Sequence, residues 1–324
     1  MSNILITGAC GFIGSHLTEL CIKRGYNVIA FDRYNSDNNI GWLEHSPYKN
    51  DLEVILGDIR DYDSVYKAVD GCDIVIHLAA LIGIPYSYVS PMAYIKTNVE
   101  GTYNILEASK NLSVDQTLVT STSETYGTAK YVPIDEKHPS AGQSPYSASK
   151  IAADQLAYSY YSSFELPIKI IRPFNTYGPR QSARAIIPTI ISQVLKNDNK
   201  IFLGSLEPTR DLTYVKDTCD GFLEILSTNK LYGEATNIGM SKEISIGDLA
   251  NNIIQIIGSN IKIESDNNRL RPKNSEVYRL LCDNSKLMKH TKWNPKYDLQ
   301  QGLVKTIEWV KANIHYYKLN HYNL

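Results

Sequence analysis

The chain has 324 residues, 43% of them hydrophobic and 21% charged, with a formal net charge of −1, proportions ordinary for a soluble globular protein. A near-neutral chain has no global field to steer it to nucleic acid or an anionic membrane, so neither is expected as a partner and any basic site must be local. The cysteines Cys10, Cys21, Cys72, Cys219 and Cys282 are odd in number and scattered, with no CxxC pair, which argues against a disulfide framework or a zinc site and for a reducing cytoplasm.

The N-terminus runs directly into Ile4-Leu5-Ile6 with no basic region ahead of it, so no signal peptide is expected. No apolar run approaches the roughly 18 residues of a membrane span. Short apolar runs predict strands at Asn3–Thr7, Asn27–Phe31, Leu52–Leu56, Asp73–Leu78, Asp115–Ser121 and Ile168–Arg172. Amphipathic stretches between them predict helices at Phe12–Arg24, Asp61–Val69, Pro91–Lys110 and Ser147–Ser162. Strands alternating with helices imply a parallel sheet covered on both faces. Right-handed crossovers then put the strand C-termini, and a ligand crevice, along one edge.

The first strand–helix junction reads Thr7-Gly8-Ala9-Cys10-Gly11-Phe12-Ile13-Gly14. Gly8 permits a tight turn, Gly11 lets a pyrophosphate approach the backbone, and Gly14 lets helix pack on strand, so a dinucleotide is expected here. Asp32 ends the second strand, where a carboxylate accepts ribose hydroxyls and favours NAD over NADP; Arg33 beside it offers a contact to a 2′-phosphate instead. Asp58 and Ile59 follow the third strand and are placed to touch adenine, with a helix N-cap as a second role for Asp58. Tyr146 and Lys150 stand four apart and share a helix face. An ammonium near a phenol favours the phenolate, bringing its pKa down from about 10.

After Arg172 the prolines Pro173, Pro179, Pro188 and Pro208 punctuate shorter elements, with helices predicted at Pro188–Lys196, Val215–Ser227, Ile246–Ile257 and Leu299–Ile314. This part reads as a smaller, less regular lobe over the crevice. The tail from about His315 is expected to be loosely held.

With these features in place, the chain resembles the extended short-chain dehydrogenase/reductase family of sugar-nucleotide enzymes over almost its whole length. The marks are Gly8-x-x-Gly11-x-x-Gly14, Gly57-Asp58-Ile59-Arg60-Asp61, His77-Leu78-Ala79-Ala80, Asn98-x-x-Gly101-Thr102, Tyr146-x-x-x-Lys150 and Arg172-Pro173-Phe174-Asn175-x-x-Gly178-Pro179-Arg180. The resemblance implies a Rossmann-type doubly wound α/β domain over residues 1–173 and a smaller C-terminal α/β lobe over 174–324. Segments near 212–238 and 277–283 would return to the first domain. Phe12, Ile13, Leu78, Ala79, Ala80 and Asn98 would join the glycines in the cofactor site. The Pro91–Lys110 and Ser147–Ser162 helices would form a four-helix homodimer interface.

The reaction is read from Thr120-Ser121-Thr122-Ser123-Glu124-Thr125-Tyr126-Gly127 at a strand end. The 4-epimerases of the family carry a non-acidic residue where Glu124 stands, and the 4,6-dehydratases carry Glu. Oxidation at C4 acidifies C5–H, and one carboxylate can remove that proton and then protonate the departing C6 hydroxyl. Thr122 resembles the residue that hydrogen-bonds the 4-oxygen. Ser123 resembles the branch with Ser beside Glu, in which Glu124 serves as base and acid.

Further stretches narrow the resemblance. They are Leu81–Tyr88, Gln143–Lys150 and Pro179–Pro188, and they look like NAD-dependent 4,6-dehydratases of legionaminic acid biosynthesis, which act on GDP- or UDP-linked N-acetylglucosamine. A nucleotide diphosphate needs cations, for which Arg180, Arg210 and Arg271 are candidates. Asn175 and Glu276 resemble substrate-holding residues of the family, Tyr86 is one of the 23 tyrosines and a candidate for lining the sugar pocket, and Arg184 sits in the segment after Arg180, where a surface salt bridge is the alternative for both. The rivals are a 4-epimerase, a C6 decarboxylase and a non-catalytic redox-sensing protein.

Overall fold

The structure, a computed structural model, describes residues 1–196 and 199–317. The apolar runs form β1 (Asn3–Thr7), β2 (Asn27–Arg33), β3 (Leu52–Gly57), β4 (Ile74–His77), β5 (Gln116–Thr120) and β6 (Ile168–Pro173), each within a residue or two of its expected bounds. The second half adds short strands that were not anticipated: β7 (Asn175–Tyr177), β8 (Lys200–Leu203), β9 (Thr209–Tyr214), β10 (Ala235–Ile238), β11 (Glu243–Ser245) and β12 (Lys262–Ser265). Seven strands make one parallel sheet in the order β10-β6-β5-β4-β1-β2-β3. The fold is a doubly wound α/β sheet of the Rossmann type.

The helices are α1 (Phe12–Lys23), α2 (Tyr62–Val69), α3 (Ile84–Val89), α4 (Pro91–Tyr94), α5 (Gly101–Asn111), α6 (Pro145–Phe164), α7 (Ile186–Lys196), α8 (Val215–Ser227), α9 (Ile246–Ile257), α10 (Ser285–His290) and α11 (Leu299–Ala312). Side chains alternate across a strand, so β1 feeds two cores. Leu5 joins Phe31, Val65, Val69 and Ile105 on one face, and Ile4 and Ile6 join Leu17, Cys21, Leu118 and Ile171 on the other. The strand order reverses between β1 and β4, which opens the crevice beyond their C-terminal ends.

The expected continuous helix Pro91–Lys110 is divided. A π-helical segment, Ile95–Glu100, separates α4 from α5. Such a wide turn accommodates a residue whose side chain is pulled by another element, and Asn98 in this segment is bonded to the chain at Leu81. The other departures are small. The expected helix Leu299–Ile314 ends at Ala312, followed by a 3-10 turn over Ile314–Tyr316.

β10 lies beyond residue 174 yet pairs with β6 in the main sheet. The second lobe is built from the small sheets β11-β9-β7 and β12-β8 with α7, α9 and α11. The tail is better held than its composition suggests. Tyr316 Oη meets His45 Nε2 at 2.8 Å and its ring packs edge-on against Trp42, while Tyr317 Oη donates to the Gln181 carbonyl at 3.0 Å. The rest of the tail lies outside the described residues. No helix among the described residues is long and apolar enough to cross a membrane, and no group of three or more His, Cys, Asp or Glu among them could hold a metal ion.

One buried charge ties β6 to α8. Lys169 is fully buried, and its Nζ donates to the carbonyls of Ile225, Leu226 and Thr228 at 2.8, 3.3 and 2.5 Å. These are orphan acceptors of a helix C-terminus, where a cation is favoured. Burial lowers the Lys169 pKa to about 8. Lys169→Met should therefore cost about 3 kcal/mol in chemical denaturation, because the carbonyls stay buried without a donor. An unchanged denaturation midpoint would show that the amine is dispensable.

Candidate active site

The crevice is a single cleft of about 1350 Å³ running from the β1–α1 loop to the second lobe. At its first end β1 delivers Gly8 with φ +70°, and a Cβ there would stand 2.9 Å from the Ala79 nitrogen. A Cβ on Gly14 would stand 2.1 Å from the Gly8 carbonyl oxygen. On Gly11 it would meet nothing nearer than that oxygen at 3.3 Å, so the face of Gly11 is open to the cleft. No side chain caps the N-terminus of α1, which starts after Gly11. Its free N–H groups and the missing Cβ form a cradle that fits a pyrophosphate.

Phe12, Ile13, Asp32, Asp58, Ile59, Leu78, Ala79 and Ala80 line the same end. Asp32 Oδ2 accepts the Cys10 N–H at 2.7 Å and Oδ1 accepts the Arg33 N–H at 2.7 Å. Asp32 thus steadies the glycine loop and keeps lone pairs for ribose hydroxyls. Asp58 does not cap a helix: α2 begins after Asp61, and Asp58 instead pairs with Arg60, which holds its carboxyl below the usual range.

Asn98 does not line the cleft. It is 1% exposed, and its amide accepts the Leu81 N–H at 2.8 Å and donates to the Leu81 carbonyl and Ser149 Oγ, each at 2.9 Å. Its work is to hold the loop after β4. Its motif neighbours act similarly: Gly101 admits the Ile59 side chain, and Thr102 Oγ1 meets His77 Nε2 at 3.1 Å. His77 Nδ1 in turn meets Thr7 Oγ1 at 2.8 Å under the glycine loop.

The middle of the cleft gathers Thr122, Ser123, Glu124, Tyr146 and Lys150. β5 ends at Thr120, and a 3-10 turn follows in which Thr122 Oγ1 accepts the Glu124 N–H at 3.2 Å. The opposite wall is α6, started by Pro145 and a reciprocal pair of bonds between Ser144 and Ser147. Tyr146 packs edge-on against Tyr94 at 6.2 Å. Tyr94 donates to the Gly83 carbonyl and also touches Tyr86, so a row of aromatic rings stands beside Tyr146. Tyr94 carried no signal in the sequence.

The expected lowering of the Tyr146 pKa is absent. Burial raises it above the ordinary tyrosine value, with Glu124 adding to the rise and a hydrogen bond with Thr122 opposing it. Lys150 Nζ is spent on the Thr120 carbonyl, and burial lowers its pKa to about 8 while Asp154 opposes the fall. A desolvated phenol stays protonated unless positive charge is brought close.

The far end carries the arginines. Arg210 Nη2 lies 3.3 Å from Glu276 Oε1 and Arg271 Nη1 lies 3.6 Å from the same oxygen. One carboxylate therefore holds two guanidinium groups over the cleft. Burial lowers the Arg210 pKa, and the charge of Glu124 is the first to oppose this. Asn175, Tyr86 and Arg184 also line the cleft, and the buried Asn175 Oδ1 has no partner among the described residues. Arg180 is not in the lining: it sits at φ +71° and its guanidinium is drawn to Glu19 on α1 at 2.8 Å.

The chain matches a family model described as GDP-mannose 4,6 dehydratase over residues 5–306. It is 33% identical to a Methanocaldococcus jannaschii protein named putative UDP-glucose 4-epimerase, across 96% of this chain and 99% of that one. It is 32% identical to the Homo sapiens dTDP-D-glucose 4,6-dehydratase, across 97% of this chain and 91% of that one. The solved structure of DesIV (dTDP-glucose 4,6-dehydratase) from Streptomyces venezuelae, with NAD and TYD bound, superposes with a TM-score of 0.89 at 26% identity, covering 98% of this chain and 99% of that one. Sheet order, glycine cradle, Tyr146–Lys150 wall and these matches agree: the chain belongs to the NAD-dependent epimerase/dehydratase family of nucleotide-sugar enzymes, within the group described as GDP-mannose 4,6 dehydratase.

Proposed function

We propose that the protein is an NAD-dependent 4,6-dehydratase of a nucleotide-activated N-acetylglucosamine, GDP- or UDP-linked, yielding the 4-keto-6-deoxy sugar nucleotide. The observation that carries this reading is a carboxylate, Glu124, in the cleft beside Tyr146. When bound, NAD accepts the C4 hydride and returns it at C6, so the cofactor is regenerated within one turnover. Tyr146, once a positive charge lowers its pKa, takes the proton of the C4 hydroxyl, and Thr122 steadies the same oxygen. Glu124 removes the C5 proton and delivers it to the C6 hydroxyl, which leaves as water; once hydride has added at C6, C5 takes up one proton, equal in number to the one Tyr146 took from the C4 hydroxyl.

The nucleotide-linked N-acetylglucosamine is supported by the likeness of residues 81–88, 143–150 and 179–188 to dehydratases feeding legionaminic acid. Arg210 and Arg271 suit the diphosphate. Arg271→Ala should raise KM by roughly 10- to 100-fold with kcat little changed, since it removes a charge-assisted contact remote from the reacting carbons. An unchanged KM would place the diphosphate elsewhere. A homodimer through α4, α5 and α6 is supported by their exposed apolar side chains, among them Tyr103, Tyr158 and Phe164 at 44, 52 and 53% exposure; a monomer in sedimentation equilibrium would rule it out.

A second reading, 4-epimerisation, is favoured by the Methanocaldococcus jannaschii relative. Incubation with GDP- and UDP-N-acetylglucosamine separates the two: loss of one water by mass supports dehydration, and a mass-neutral C4 epimer overturns it.

A further inference from the structure

The helix that carries Tyr146 and Lys150 also carries Asp154, one turn beyond Lys150 on the same face. Asp154 is 2% exposed, and its Oδ2 accepts from Ser121 Oγ at 2.6 Å and from Arg172 Nη2 and Nε at 2.8 and 3.2 Å. Arg172, on β6, donates through Nη1 to Tyr126 Oη at 2.9 Å and lies over that ring at 4.9 Å. Tyr126 Oη then donates to Asn237 Oδ1, on β10, at 2.8 Å. Ser121 and Tyr126 bracket Thr122 and Glu124, so a single buried ion pair anchors both ends of the turn that carries them.

The same pair reaches Lys150. Asp154 Oδ1 has no hydrogen-bond partner among the described residues, and the Asp154 charge opposes the fall that burial causes in the Lys150 pKa. The other polar neighbours of Lys150 do not replace it. From β4 comes His77, whose pKa burial lowers to about 3, leaving it neutral; from β5 comes the Thr120 carbonyl, and from α6 itself Tyr146, while Arg172 on β6 is paired with Asp154. Pure stability is a weak reason for such a pair, because well-packed apolar residues often serve as well in a buried position.

We infer that Asp154 and Arg172 are positioning residues for the oxidation at C4 and the proton transfers that follow: Asp154 sets a carboxylate one turn from Lys150, and Arg172, through Tyr126, fixes the turn bearing Thr122 and Glu124. The role rests on Tyr146 and Lys150 oxidising C4, a step that dehydration and epimerisation share.

The test follows the absorbance of reduced nicotinamide in single turnovers, and steady-state kcat and KM, across neutral and alkaline pH. Wild type is compared with D154N/R172Q, which leaves no buried orphan charge, and with Y126F. In D154N/R172Q the alkaline limb of the rate should move to lower pH, because the carboxylate one turn from Lys150 is lost, while the simultaneous loss of the Arg172 charge reduces the size of the shift. In Y126F the limb should stay in place while kcat falls about 10-fold with KM unchanged, since loosened geometry is costly. Variants that bind NAD and melt cooperatively, yet keep the wild-type limb and kcat, overturn the role. If D154N/R172Q does not fold, Y126F decides: full activity overturns the role and a lower kcat at constant KM supports it. A wild type that reduces no cofactor with either nucleotide sugar overturns the functional reading, and this role with it.

Discussion

Glu124→Gln should abolish loss of water from the nucleotide sugar while leaving bound NAD able to be reduced. The substitution keeps the backbone bond from residue 124 to Thr122 Oγ1 and so keeps the turn. Gln offers no base for C5–H and no acid for the C6 hydroxyl, two proton transfers each typically worth about 10²- to 10⁴-fold. Removing the negative charge also removes one of the influences raising the Tyr146 pKa, so oxidation at C4 should proceed at least as readily. Arg210 keeps Glu276 as its ion-pair partner, so the substrate end of the cleft is not left with an unbalanced charge. Reduced nicotinamide should therefore accumulate in a single turnover, with no product lighter by one water. Full turnover in the variant would refute the assignment of Glu124 as base and acid.

Much of this was legible in the sequence, for identifiable reasons. Strands β1, β4 and β6 are buried along nearly their whole length, so their apolar runs are continuous and bounded by turns. Strands β11 and β12 are half-buried or exposed, and runs of three or four residues with mixed exposure leave no such trace. The π segment coincides with bonds between Asn98 and Leu81, 17 residues apart in the chain, which helical periodicity cannot register. Arg180 illustrates the same limit at the site. Its motif offers it as a diphosphate contact, but its guanidinium is drawn to Glu19 on α1 instead. Asp154 was accessible in principle, since Tyr146, Lys150 and Asp154 repeat at intervals of four on one helix. The raised Tyr146 pKa follows from burial depth, which only the packed structure reveals.

Gly11→Ala and Gly14→Ala should fail in different ways, although the motif writes both positions alike. A methyl on Gly14 would collide with the Gly8 carbonyl at 2.1 Å and with the Ala9 Cα at 2.9 Å. Both obstacles are backbone, so α1 must move off β1, at a cost of about 3 kcal/mol or more. Gly14→Ala should lower the thermal midpoint with or without cofactor. A methyl on Gly11 meets only the Gly8 carbonyl at 3.3 Å, a tight contact that a few tenths of an ångström of movement relieves. It projects instead over the uncapped N-terminus of α1, where the pyrophosphate would sit. Gly11→Ala should thus leave the cofactor-free midpoint nearly unchanged and weaken NAD binding by roughly 10- to 100-fold, equivalent to losing one charge-assisted hydrogen bond. Thermal shift with and without NAD, together with a titration of NAD, distinguishes the two. Equal loss of stability in both variants would mean that Gly11, like Gly14, is required by packing, and that the pyrophosphate is held by another part of the loop.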